Sequence, residues 1–204
     1  IMDIDTGGKI EHLKLNIRSI ERLGISAVIM EDKTGLKKNS LNEKTSNQKQ
    51  ESIQNFCNKI KVINSTKINE EFMIIARIES LILKKGMLDA LKRAKKYISA
   101  GADGIMIHSK EKTTKEIFEF ASKFRKKFSS VPLVCVPSTY NTVRENNLIA
   151  KKFNIVIYAN HLFRSAYPAM EKTAREILKY GRSKESDKNL ISIKEILKLI
   201  PGTD

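Results

Sequence analysis

Six apolar runs, each ended by polar residues and most followed by an amphipathic stretch, constrain this chain more than any other feature. They lie at 1–5 (IMDID), 25–30 (ISAVIM, its strand core at 27–30), 71–79 (EFMIIARIE), 103–107 (DGIMI), 131–136 (VPLVCV) and 155–158 (IVIY). Between them, 11–23 carries apolar Leu13, Leu15, Ile17, Ile20 and Leu23 among charges and closes at Gly24, the signature of an amphipathic helix. The stretches 51–63, 86–100, 113–128 and 145–153 read the same way, and helices follow the last run at 162–180 and 192–199. Strands that alternate with helices pair in parallel through right-handed crossovers, so the predicted class is α/β.

A closed (β/α)8 barrel usually takes about 250 residues. Six strands in 204 residues therefore predict a TIM-type barrel lacking about its first two strands. An open doubly wound sheet is the alternative, but the glycine-rich phosphate turn of a dinucleotide fold is absent. Residues 1–204 read as a single incomplete barrel domain, with C-terminal helices over 162–204. A chain that begins on a strand without a methionine is expected to be an N-terminally truncated fragment.

Charge raises a second class of function. The formal net charge is +15, and clustered Lys and Arg are the footprint of polyanion binding. The lysines are spread along helical stretches as solvated faces, and no aromatic-interleaved basic strand accompanies them. The reading taken is no nucleic-acid partner and a small anionic substrate gathered by the positive surplus. No apolar run approaches the roughly 18 residues of a membrane span, and the first residues are not a secretory leader. A cytoplasmic enzyme without a membrane partner is expected. The two cysteines, Cys57 and Cys135, have no metal or disulfide spacing.

In α/β folds of this kind chemistry gathers at the carboxyl ends of the strands. That convergence would bring together Asp3, Asp5, Glu31, Arg77, His108 and Asn160. Alternation along a strand points Asp3 and Asp5 the same way, and paired carboxylates suit a hard divalent cation. Arg77 offers a planar fork for a carboxylate or phosphate, and Lys37 a positive charge on the polar segment 31–40 (EDKTGLKKNS). Each residue has a plainer explanation that the residues alone leave open. Glu31 can cap a helix, Arg77 can pair with Glu79, His108 can be a satisfied structural histidine, and Asn160 with His161 can cap the next helix.

Taken together, IMDIDTGG, EDKTGLKKNS, ARIES, GADGIMIHSK, PLVCVPSTY and IYANHLFRSAYPAM resemble, in order and approximate spacing, the segments of the phosphoenolpyruvate mutase family of the isocitrate lyase superfamily. The EDKxxxKxNS spacing resembles that family's gating loop. The resemblance implies that Asp3 ligates Mg2+, with Asp5 and Glu31 holding its water shell. It implies that Lys37 and Asn39 lie on the loop that closes over substrate, with Asn39 at the phosphoryl group, and that Arg77 and His108 hold that group and the carboxylate end. The implied reaction converts phosphoenolpyruvate to phosphonopyruvate by Mg2+-dependent intramolecular phosphoryl transfer. The implied assembly is a homodimer or homotetramer that exchanges its terminal helix.

The chain departs from the family in lacking tryptophan and the substrate-binding serine-glycine pair of the first strands. An incomplete barrel leaves strand edges unpaired, so an inactive fragment is one alternative and a basic binding module another. The nearest rival enzyme is a phosphonopyruvate hydrolase, which shares the fold and metal site. Carbon–carbon lyases of the superfamily commonly carry a K-K-C-G-H loop, where this chain reads EDKTGLKKNS.

Overall fold

Six strands pair in parallel in the order of the chain: β1 (Met2–Asp3), β2 (Ala27–Glu31), β3 (Met73–Ile78), β4 (Gly104–Ile107), β5 (Leu133–Cys135) and β6 (Ile155–Val156). The structure, a computed structural model, describes residues 1–35, 48–200 and 202. Between the strands run α1 (Ile10–Arg22), α2 (Ile53–Asn64), α3 (Met87–Ser99), α4 (Lys115–Arg125) and α5 (Glu145–Ala150). The order never reverses, so successive right-handed crossovers all lay their helices on the same face of the sheet. That is the winding of a barrel wall, and it removes the doubly wound alternative, whose order reverses at a switch point.

Register shows which residues share each face. Met30 pairs with Ala76, Ala76 with Ile105 and Ile105 with Leu133, and all four belong to the buried core that the helices cover. The helices contribute Leu13, Ile17, Phe56, Ile60, Ala94, Tyr97, Phe120 and Phe124 to this same layer. One residue along, Glu31 pairs with Arg77, Arg77 with Met106 and Met106 with Val134. Because side chains alternate along a strand, this second row points to the opposite face, away from α1–α5. Ile29 and Ile75 form the row beneath, level with Asp3.

The segments entering the helices are fixed locally. Ser52 caps α2 by accepting from the Asn55 amide at 3.1 Å. The chain leaving β2 and the chain returning to α2 meet in an isolated antiparallel bridge between Lys33 and Gln50. Beside it the Thr34 amide donates to the Lys49 carbonyl at 2.9 Å.

The chain divides into two compact units, Ile1–Ile157 and Tyr158–Asp204. The second unit contains α6 (His161–Tyr180), a 3₁₀ turn (Lys184–Asn189) and α7 (Ile193–Leu197), the last opened by a Ser192–Glu195 capping box. Helix α6 ends on Gly181 in the left-handed region and buries none of its side chains; Leu162, Phe163, Met170 and Leu178 are all exposed. Among the described residues no helix is long and apolar enough to cross a membrane.

Strand β1 is followed by a tight turn at Thr6–Gly8 that presses on β2. A Cβ added to Gly7 would lie 2.6 Å from Met30 Sδ, whereas one added to Gly8 would meet nothing within 4 Å. Both glycines have positive φ, +75° and +67°. Gly7→Ala is therefore expected to destabilise the fold by about 1–3 kcal/mol, and by more than Gly8→Ala, as read from urea denaturation midpoints. Equal losses would remove the steric contribution of Met30.

Candidate active site

The face opposite α1–α5 carries the candidate site at its carboxyl end. Glu31 closes β2, Arg77 is the penultimate residue of β3, and His108 follows β4 directly. Asp3 closes β1. The sheet thus gathers four of the predicted residues along one wall. Asp5 departs from expectation: β1 ends at Asp3, and Asp5 has turned into the left-handed region with φ of 54°. Its amide donates to Asp3 Oδ1 at 2.9 Å, so strand alternation does not carry from Asp3 to Asp5. Lys37 and Asn39 lie outside the described residues. Asn160 belongs to the second unit, as the residue before α6, without a side-chain capping bond.

Arg77 is the electrostatic centre of this wall. Its Nε donates to Glu79 Oε1 at 2.6 Å, while Nη2 lies 3.4 Å from Glu31 Oε2 and Nη1 4.0 Å from Asp3 Oδ2. The plain pairing with Glu79 is therefore real, and it coexists with the contact to Glu31. A second cation, Lys33, lies 3.3 Å from Glu31 Oε1 and 3.6 Å from Glu79 Oε2. Lys33, Glu31 and Glu79 are all buried, so two cations and two carboxylates neutralise one another away from bulk water. Burial raises the Glu31 pKa against the opposing pull of Arg77 and Lys33. Both Glu31 carboxylate oxygens lack a hydrogen-bond donor, and His108 Nδ1 lacks a partner too. His108 is not the satisfied structural histidine of the plainer reading.

Asp32, between Glu31 and Lys33, points the other way. It is fully buried and accepts from Tyr97 Oη at 2.7 Å, Arg93 Nη1 at 3.1 Å, Gln50 Nε2 at 3.0 Å and the Glu79 amide at 2.9 Å. Burial pushes its carboxyl up to about 7, while four donors with no acceptor among them favour the ionised form. Asp32 and Lys33 join this cluster without having been singled out in the sequence, and Glu79 enters it beyond its simple pairing with Arg77. The available signal is that they flank Glu31 and Arg77 at strand ends.

These donors bear on Mg2+. Among the described residues no group of three His, Cys, Asp or Glu side chains is close enough to hold a metal ion, so Asp3, Asp5 and Glu31 do not form a closed cage. Mg2+ commonly binds through one or two carboxylates and keeps several waters. The all-oxygen pair Asp3 and Glu31, with the two undonated oxygens of Glu31, fits that mode.

His108 gives the site a pH signature. Burial, and then the Arg77 charge, push its imidazole from 6.5 down to about 4. Between those values the unfolded chain holds the proton that the native state excludes, so this residue's contribution to stability falls on acidification. The stability margin of wild type over His108→Asn is expected to narrow as pH drops from about 6.5 to about 4. Proton NMR should show a neutral His108 ring until pH approaches about 4; a ring titrating near its ordinary value would contradict the assignment.

Comparison with known proteins places this wall in context. The family profile described as phosphoenolpyruvate phosphomutase matches residues 1–178. A phosphonopyruvate hydrolase from Variovorax sp. (strain Pal2) is 39% identical over 98% of this chain and 68% of its own length. The crystal structure of phosphoenolpyruvate phosphomutase from Streptomyces platensis subsp. rosaceus superimposes with a TM-score of 0.88 at 33% identity, covering 97% of this chain and 67% of that one. A crystal structure of phosphonopyruvate hydrolase in complex with oxalate and Mg2+ gives 0.83 at 37% identity, covering 97% and 67%. The chain thus spans about two thirds of the length of these relatives. Its six parallel strands with their helices match the TIM-type fold of the superfamily. On the profile match and these identities, the chain belongs to the phosphoenolpyruvate phosphomutase family of the isocitrate lyase superfamily.

Proposed function

We propose that the protein interconverts phosphoenolpyruvate and phosphonopyruvate by intramolecular phosphoryl transfer. The observation that carries this reading is the juxtaposition, on one buried wall, of the Glu31 carboxylate and the guanidinium of Arg77, 3.4 Å apart. Such a wall offers a cation-holding group beside an anion-holding one, which suits a small phosphorylated acid. Arg77 binds the phosphoryl or carboxylate oxygens through its Nη edge while its Nε stays on Glu79. His108, neutral at physiological pH, offers an N–H to the same oxygens without competing for a proton. By the family resemblance Lys37 and Asn39, outside the described residues, would supply a positive charge and an amide for the phosphoryl group.

In the forward direction the enol oxygen–phosphorus bond breaks and a carbon–phosphorus bond forms at the methylene carbon of the same pyruvate unit. The loose transition state asks for positioning and charge stabilisation rather than covalent help from the protein. Asp3, with Asp5 and Glu31 through its water shell, would hold Mg2+, which would supply positive charge for the developing enolate oxygens. The chain's own residues orient the two fragments and exclude water from the phosphoryl group.

The 39% identity to a phosphonopyruvate hydrolase supports a second reading, in which water takes the phosphoryl group and pyruvate leaves. The exposed apolar side chains of α6 support a homo-oligomer, and residues 1–204 are taken as one barrel-type domain with its terminal helices.

Phosphorus NMR of the protein with phosphonopyruvate and Mg2+ tests the assignment. Phosphoenolpyruvate as product supports the mutase; inorganic phosphate with pyruvate would transfer the protein to the hydrolase reading. Arg77→Ala is expected to lower kcat/KM by about 100-fold or more, and Asp3→Ala to abolish metal-dependent turnover. Turnover of Asp3→Ala at the wild-type rate would sink the metal assignment.

A further inference from the structure

We propose that Asp32 is a positioning residue for Arg77, acting on it from the helix side of the sheet. The inference rests on the reading of Arg77 as the anion-binding group. Asp32 grips the tripeptide Arg77-Ile78-Glu79 at both ends. Its amide donates to the Arg77 carbonyl at 3.0 Å, and its Oδ1 accepts from the Glu79 amide at 2.9 Å. The Glu79 side chain turns back to the opposite face and takes Arg77 Nε at 2.6 Å. The direction of the guanidinium is thereby set by a residue whose backbone Asp32 holds.

Asp32 is itself fixed by other segments. Tyr97 and Arg93 reach it from α3, and Arg93 Nη1 also donates to the Glu51 carbonyl at 2.9 Å and to Tyr97 Oη at 2.8 Å. Gln50 Nε2 binds both Asp32 Oδ2 and Ser80 Oγ, at 3.0 and 2.9 Å, and Ser80 passes the chain to Asp89 at 2.8 Å. Stability alone does not call for this acid, because well-packed apolar residues in place of a buried ion pair are often neutral or stabilising. A carboxylate is suited instead to holding a strand-exit amide at a fixed place, which an apolar side chain cannot do.

The test compares Asp32→Asn with Phe120→Leu, a cavity variant in the core under α4 that reports simple loss of stability. Asparagine keeps an oxygen for the Glu79 amide but sets an N–H against Arg93, Tyr97 and Gln50, so the anchor behind the grip loosens without a large change of volume. In wild type the Arg77 Nε proton and the Glu79 amide proton are expected to exchange slowly by NMR. In Asp32→Asn both should exchange at least about tenfold faster, while Phe120→Leu leaves their ratio to other core amides unchanged. Asp32→Asn should also lower kcat for the phosphonopyruvate reaction about tenfold or more, and Phe120→Leu less than about threefold. Tyr97→Phe, which removes one donor and keeps the carboxylate, should move both readouts the same way by less, and it decides the matter should Asp32→Asn not fold.

Wild-type protection of the Arg77 Nε proton in Asp32→Asn would overturn the proposal, as would faster exchange with an unchanged kcat. If wild type turns over neither substrate, the functional reading fails by itself, and the exchange measurement alone decides whether Asp32 positions Arg77.

Discussion

Parallel pairing in strict chain order is the constraint on which the rest of this molecule depends. It puts the crossover helices on one face, and the two-residue repeat of a strand then sorts side chains without further instruction. Met30, Ala76, Ile105 and Leu133 go to the helix layer, and Glu31, Arg77 and Met106 go to the other side. A slip of one residue in any of these pairings would exchange the two sets. The apolar row therefore holds the charged row in place, because only one register buries it.

The charged row carries its own constraint. Two cations and two carboxylates lie out of water, and removing any one of them would leave a buried charge uncompensated. Arg77 is held most tightly at Nε, by Glu79, and more loosely at its Nη edge, by Glu31 and Asp3. The geometry is that of a tethered fork: the stem is fixed and the prongs face the acids at the mouth. Lys33 completes the balance by contacting both Glu31 and Glu79.

Much of this was legible in the sequence, for a physical reason. Strands buried on both faces read as continuous apolar runs, and the run at 71–79 contains β3 at Met73–Ile78. The positions of Glu31, Arg77 and His108 on one wall are legible because they stand where such runs end. Alternation does not place Asp5 beside Asp3, because that argument assumes a strand and the chain leaves β1 at Asp3. Asp32 escaped notice because its environment is made elsewhere: Arg93 and Tyr97 follow it by 61 and 65 residues. A local pattern carries no record of such partners. The same holds for Lys33, whose burial depends on Glu79 as much as on its neighbour Glu31.

The division of faces also shapes how a protein of this kind can change over generations. Substitutions on the helix side of a strand are registered as stability, through the core that Ile74, Ala76 and Ile78 join. Those on the opposite side, at Glu31, Arg77 or His108, bear on the buried charged row and on the chemistry proposed for it, away from the layer that α1–α5 cover. Selection can therefore act on reaction and on folding through largely separate sets of alternating positions, which gives a family room to diversify its reactions while keeping its frame. Asp32 crosses that division, since it sits among the helices and yet grips the residues beside Arg77. It is one position where a change of chemistry and a change of frame are tied together.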